Sequence, residues 1–182
     1  MISIDTNVMI WGVKRVATPG QEPMIPLGVA VFEYCKREHL DIIVPTQVLE
    51  EFLVDYSDEE RTRQLEIIQA NYIVPPLDAA AAAIAAKLRH DKDLLDGIRQ
   101  EFGITRQVIK ADINILATSI SAQATRVVAF DAHMRKLAQG MILVHTLPEF
   151  VETVVAPSLS HPASSTPSSR TGQNSLFGPE GE

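Results

Sequence analysis

Short, β-branched apolar runs separated by helical patterns restrict what this chain can fold into. "DIIVP" (Asp41 to Pro45), "YIVP" (Tyr72 to Pro75), "RVVAF" (Arg126 to Phe130) and "MILVH" (Met141 to His145) are continuous rather than alternating. That is the pattern of strands buried on both faces of a parallel sheet. A further short strand opens the chain, with Ile2 and Ile4 flanking Ser3. Between the runs the apolar spacing turns helical. Pro26 to His39 places Leu27, Ala30, Val31, Tyr34 and Cys35 on one face. "SDEE" from Ser57 is a capping box opening a helix to about Ala70. Asp78 caps an alanine run through Leu88, and Ile109 to Ala122 makes a later apolar helix. This alternation predicts an α/β fold with a parallel central sheet covered by helices on both faces.

The pattern ends near residue 156. The last 26 residues hold seven Ser and four Pro and no apolar period. They cannot bury enough surface to offset their ordering entropy, so residues 1–156 are expected to form one domain and 157–182 a disordered Ser/Pro-rich tail. No stretch is long enough to span a membrane and no secretory leader is visible, which predicts a cytoplasmic protein. Cys35, the single cysteine, lies among apolar residues and reads as core rather than as a nucleophile.

The net charge of −7 argues against broad attraction to nucleic acid, but the charges are unevenly spread. Asp41 to Glu60 contains seven acids and no Lys or Arg, whereas Arg99 to Lys136 contains six bases against three acids. Most of these residues fit solvated helix faces, yet a local basic strip could still hold an anionic backbone.

The first strand runs into a carboxylate, Asp5. Asp5 or Thr6 could cap the helix that follows, or Asp5 could stand at the carboxyl end of a parallel strand, where open α/β sheets place their ligands. Other acids are placed alike. Asp131 follows "RVVAF", Glu50 and Glu51 lie one turn into the helix of "VPTQVLEEFL", and Asp112 is expected to open the helix of "IKADINILATSI". One acid at a helix start is explained by the helix dipole. Four at strand ends and neighbouring helix starts suggest a converging cluster. Packed carboxylates raise each other's pKa and call for a cation, and Mg²⁺ takes a few carboxylates while keeping waters. Such a centre suits hydrolysis of a phosphodiester. Competing chemistries lack their parts. The chain has no phosphate-binding Gly-rich loop, no dinucleotide fingerprint, no nucleophile elbow and no zinc-ligand spacing.

In this order, "IDTNVMI", "VPTQVLEEFL", "IKADINILATSI" and "VVAFDAHMRKL" resemble the PIN-domain nucleases, especially the small single-domain ones that include VapC-type toxins. The resemblance covers roughly residues 1 to 152, with "LPEF" near its end. It implies a PIN-like three-layer fold and a metal-dependent endoribonuclease. The implied catalytic and metal-binding acids are Asp5, Glu51, Asp112 and Asp131, with Glu50 competing with Glu51. Asn7 matches a supporting polar position. The implied cofactor is Mg²⁺, with Mn²⁺ as its alternative. The implied partners are an RNA substrate, an antitoxin protein where the chain is the toxin of a type II toxin–antitoxin pair, and a second copy of the chain. Arg99, Arg106, Lys110 and Arg135 are the first bases expected to contact RNA.

The chain departs from the family pattern at several points. Ala129 stands where Thr is common, and Ser119 replaces a usual alanine. His133 takes a position that is often acidic, so that it either contacts phosphate or lies on the surface. Val13 to Pro26 and Asp91 to Thr105 look long. The alternative to a nuclease is a non-catalytic PIN-like RNA-binding or regulatory module. A phosphatase with Asp5 as nucleophile ranks last, because Asn7 occupies the place of its second acid.

Overall fold

The strands form where the β-branched runs lie, in shortened form. The computed structural model describes residues 1–159. Its sheet consists of β1 (Ile2–Ile4), β2 (Ile42–Ile43), β3 (Arg126–Ala129) and β4 (Leu143–Thr146), in the order β2-β1-β3-β4. Every pairing is parallel, as the alternation of strand and helix requires. The register sets Ile4 beside Val128, and the Asp5 amide donates to the Val128 carbonyl at 3.1 Å. The residues that follow β1 and β3 therefore emerge side by side at one edge of the sheet. β1 is buried along its whole length, as a strand covered on both faces must be.

"YIVP" is not a strand. Only Ile73 pairs, as a parallel bridge to Ile43, with its amide on the Ile42 carbonyl and its carbonyl taking the Val44 amide. Pro75 and Pro76 follow at once, and neither has an amide to extend the ladder.

The chain leaves β1 through α1 (Thr6–Met9) and a π-helical turn, Ile10–Lys14, that Arg15 ends in the left-handed region at φ 57°. This turn crosses α2 (Met24–Arg37) at very close range. A methyl on Gly28 would stand 2.9 Å from both the Gly12 amide nitrogen and the Trp11 Cβ, so a backbone crossing fixes glycine there. Next come α3 (Thr46–Leu53), α4 (Asp58–Asn71) and α5 (Ala79–Leu88). The capping box at Ser57 and the Asp78 cap form as their sequences indicate.

A helix that the sequence reading did not assign follows. α6 (Lys92–Phe102) lies within the long segment Asp91 to Thr105, capped by Asp91 and stopped by Gly103 at φ 66°. α7 (Arg106–Ser121) begins earlier than expected, after the Thr105 cap. Asp112 is therefore its seventh residue rather than its first, and the helix dipole does not account for it. α7 is the central helix of the core. Ile113, Leu116 and Ala117 are fully buried, and the Ser119 hydroxyl meets that of Ser3 on β1 at 2.6 Å.

After β3 come α8 (His133–Leu137), β4, α9 (Leu147–Phe150), a second π-helical turn (Val151–Val155) and α10 (Ala156–Leu159). In α10 the Ser158 hydroxyl accepts from Arg37. The remainder of the expected Ser/Pro-rich tail, 160–182, lies outside the described residues. Among those described, no helix is long and apolar enough to cross a membrane. Cys35 is buried, which pushes its thiol up to about 11 and makes it a core residue rather than a nucleophile.

Candidate active site

Asp5 fills both of the roles open to it. Its Oδ1 accepts from the Val8 amide at 2.9 Å and so caps α1. Its Oδ2 accepts from the Phe130 amide at 2.8 Å, which ties the end of β1 to the end of β3. Only 6% of Asp5 is exposed. Burial raises its pKa to about 7; the two amides pull the other way, and the charges of Asp131 and Asp112 add to the rise. Two good hydrogen bonds thus fail to offset the loss of water around the charge.

Asp131 stands two residues beyond β3 and is half-buried. Burial raises its pKa, His133 opposes the rise and Asp112 reinforces it. Asp112 reaches the same edge from the interior of α7, and its Oδ2 lies 2.7 Å from the His133 Nε2. His133 opens α8, where it is 4% exposed and lies against the Phe102 ring at 5.7 Å. It is therefore neither a surface residue nor free to meet a phosphate. Burial disfavours its imidazolium, but the hydrogen bond to Asp112 and the charges of Asp112, Asp131 and Asp5 outweigh that and raise its pKa. The carboxylates around His133 thus favour its protonated form at this edge.

Glu51 and Glu50 separate clearly on α3. Glu50 is exposed, whereas Glu51 is half-buried and its Oε2 accepts from the Thr6 hydroxyl at 2.5 Å. Gln47 donates to Glu51 Oε1 from one turn earlier, at 3.4 Å. Glu51 is thus linked to the residue next to Asp5. The part played by Thr6 was not read from the sequence. The signal for it was a hydroxyl between Asp5 and Asn7 in a segment otherwise bound for the core. Asn7 itself is half-buried at the start of α1. Ala129 is fully buried and contributes only its place in β3.

The structure thus brings Asp5, Asp112 and Asp131 within electrostatic reach of one another, with His133 among them and Glu51 joined through Thr6. Among the described residues, no group of three or more His, Cys, Asp and Glu side chains is close enough to hold a metal ion as the side chains stand. The donors themselves are suited to one. They are hard carboxylate oxygens, and two of the three aspartates have pKa values raised by burial, so that a cation beside them would relieve the strain.

The basic residues do not form a single strip. Arg99, Arg106 and Lys110 line one cleft with Arg89 and Lys92, two bases that the sequence reading passed over along with α6. Arg135 lies elsewhere, with its Nε on the Val144 carbonyl at 3.0 Å and its Nη2 on Glu149. Those contacts pin it to β4 and α9. Arg126 opens β3, at the opposite end of that strand from Asp131.

No family model matches the chain. No curated protein matches it either. Among solved structures it resembles a chain of the crystal structure of VapBC2 from Rickettsia felis bound to a DNA fragment from their promoter. The match has a TM-score of 0.53 at 15% identity and covers 80% of this chain and 98% of that one. At that identity the likeness is one of fold: an α/β architecture around a parallel sheet, shared with a component of a VapBC2 assembly.

Proposed function

We propose that this chain is a metal-dependent endoribonuclease that hydrolyses RNA phosphodiester bonds at the edge formed by Asp5, Asp112 and Asp131, as the toxin of a toxin–antitoxin pair. The carrying observation is the group of buried and half-buried carboxylates at the carboxyl ends of β1 and β3, where the pKa of Asp5 is raised to about 7. Three carboxylates at one desolvated edge, answered by a single imidazole, suit a cation-binding centre better than a purely structural role. The fold likeness to a VapBC2 component and the four ordered motifs support the nuclease and the antitoxin partner.

Asp5, Asp112 and Asp131 would hold Mg²⁺, or Mn²⁺ in its place, and Glu51 would complete the set. Bound there, the metal would supply Lewis-acid polarisation of the phosphate and a hydroxide at neutral pH. The Val8 and Phe130 amides orient both oxygens of Asp5. His133 orients Asp112, and Thr6 orients Glu51.

A non-catalytic RNA-binding module is the second reading. It is favoured by Asp112 and Glu51 already having protein partners. An RNA cleavage assay in Mg²⁺, Mn²⁺ or EDTA, run beside Asp112→Asn, decides between them. Cleavage that requires metal and disappears in the folded variant is expected. A well-folded wild type that binds RNA but cleaves none in either metal would leave the binding module.

A further inference from the structure

The cleft between the end of α5, α6 and the first turns of α7 holds about 420 Å³. That is the scale of a small-molecule pocket rather than of a flat peptide-docking face. Arg89, Lys92, Arg99, Arg106 and Lys110 surround it, and Asp96 is its only acid. Asp96 is shared, at 2.6 Å from Arg99 and 4.0 Å from Arg106, while Lys92 and Lys110 form no ion pair among the described residues. In a chain of net charge −7, this concentration of like charge is left for an outside anion to neutralise.

The cleft is also built in advance. The Arg89 Nη2 donates to Asn114 Oδ1 at 2.6 Å and to the Lys110 carbonyl at 3.3 Å, which fixes one guanidinium against α7. Among the described residues, the Nε atoms of Arg89 and Arg99 are buried without a hydrogen-bond partner. Leu95 and buried Ile109 complete the lining and offer an apolar face.

α7 connects the cleft to the acidic edge. From Arg106 to Asp112 the rise along the helix is about 9 Å and the two positions are about 120° apart around it, so an anionic strand leaving the acids passes part-way round α7 to enter the cleft. An acidic peptide would meet the carboxylates at the end of that path, whereas a polynucleotide brings the phosphates that a metal centre acts on.

We infer that the α5–α6–α7 cleft is a phosphate-binding subsite for the single-stranded RNA substrate, holding the strand to one side of the scissile bond. The inference rests on the nuclease reading for the identity of the strand. Guanidinium forks suit phosphate oxygens, and Lys92 and Lys110 add mobile point charges.

The test is binding of a short fluorescein-labelled single-stranded RNA to the full chain in EDTA, followed by anisotropy over a salt series. Lys92→Ala and Lys110→Ala are each expected to weaken binding several-fold, and the double variant by roughly tenfold or more. Each lost contact should flatten the slope of log K against log salt by roughly 0.7. Arg63→Ala on α4, with circular dichroism on every variant, controls for net charge and folding. Wild-type affinity and slope in the folded double variant would overturn the inference. So would a polyglutamate peptide that binds the wild type and is lost in the double variant while RNA is unaffected. Asp131→Asn separates this from the nuclease reading. If it abolishes cleavage while the cleft variants bind normally, the cleft fails and the nuclease stands. If the cleft variants lose RNA but no form of the protein cleaves it, the cleft stands and the nuclease fails.

Discussion

The two charged regions of this molecule handle charge in opposite ways. At the acidic edge Asp5 is buried, takes two backbone amides and still has its pKa raised to about 7. In the cleft the Arg106 side chain is 80% exposed and Lys92 and Lys110 are exposed as well. A charge withdrawn from water interacts strongly with whatever arrives, because little solvent screens it, while an exposed charge is weaker and acts mainly through steering. The acidic edge is thus suited to altering a bond and the cleft to holding a strand in place. His133 marks the difference. The acids surround a buried imidazole whose protonated form they favour, whereas in the cleft Arg99 and Arg106 share the one carboxylate of Asp96.

The largest expected effect tests the acidic edge alone. Asp112→Asn and Asp131→Asn should each lower metal-dependent RNA cleavage by roughly 100-fold or more, since even loss of a supporting group around a metal site commonly costs 10–100-fold. Initial rates under single-turnover conditions check this. Cleft variants losing as much at saturating RNA would erase the division of labour.

Stability against pH comes next. Asp5 and Asp131 have folded pKa values above their unfolded ones, as does His133, so the folded state holds extra protons. The contribution of these three groups to stability is therefore largest below about pH 4, falls as Asp5 ionises on the way to about 7, and falls further as His133 loses its proton. Between pH 5 and 8 in EDTA the loss should be on the order of 2 kcal/mol. Mg²⁺ should restore it at pH 8 and do little at pH 5. Denaturant melts at both pH values measure this. A flat profile would mean that the acids are better solvated than their burial implies.

Smaller effects sharpen the contrast. Glu51→Gln should lower cleavage by roughly tenfold, the low end of what loss of a group at a metal site costs. Glu50→Gln, on the exposed side of α3, should leave it unchanged. The reverse result would transfer the role to Glu50. In the cleft, Lys92→Ala should change folding stability by no more than about 0.5 kcal/mol, as for other exposed positions. A marked drop in melting temperature would mean that the cleft carries structural weight as well.

Much of this was legible in the sequence, for identifiable reasons. The β-branched runs located the parallel strands, and the acids that follow two of them meet because the register aligns Ile4 with Val128. Tyr72 to Pro75 misled because β-branched composition does not reveal that two prolines end the pairing. α6 was hidden by Gly97 and by its many charges, although Asp91 and Gly103 bracket it with ordinary cap chemistry. Losing α6 also concealed the cleft, since Arg89 and Lys92 acquire meaning only when α5, α6 and α7 are set against one another. His133 read as a phosphate contact or a surface residue because no local pattern announces a buried imidazole. Its burial comes from Phe102 and Asp112, more than twenty residues away. Ser119 looked a mild change, and it proves to be half of a buried hydroxyl pair with Ser3.

The position of β1 within the sheet bears on how the chain matures. Its neighbours are β2, some forty residues later, and β3, which begins at Arg126. During synthesis the first strand therefore waits with one edge open until most of the domain has emerged, and Asp5 waits with it for the Phe130 amide. Contacts of such long range are slow to close and leave an apolar strand exposed to wrong partners in the interval. The order of events also has a protective side. A chain cut short before Phe130 lacks both the second strand end and Asp131, so a truncated product released from the ribosome would have no assembled acidic edge.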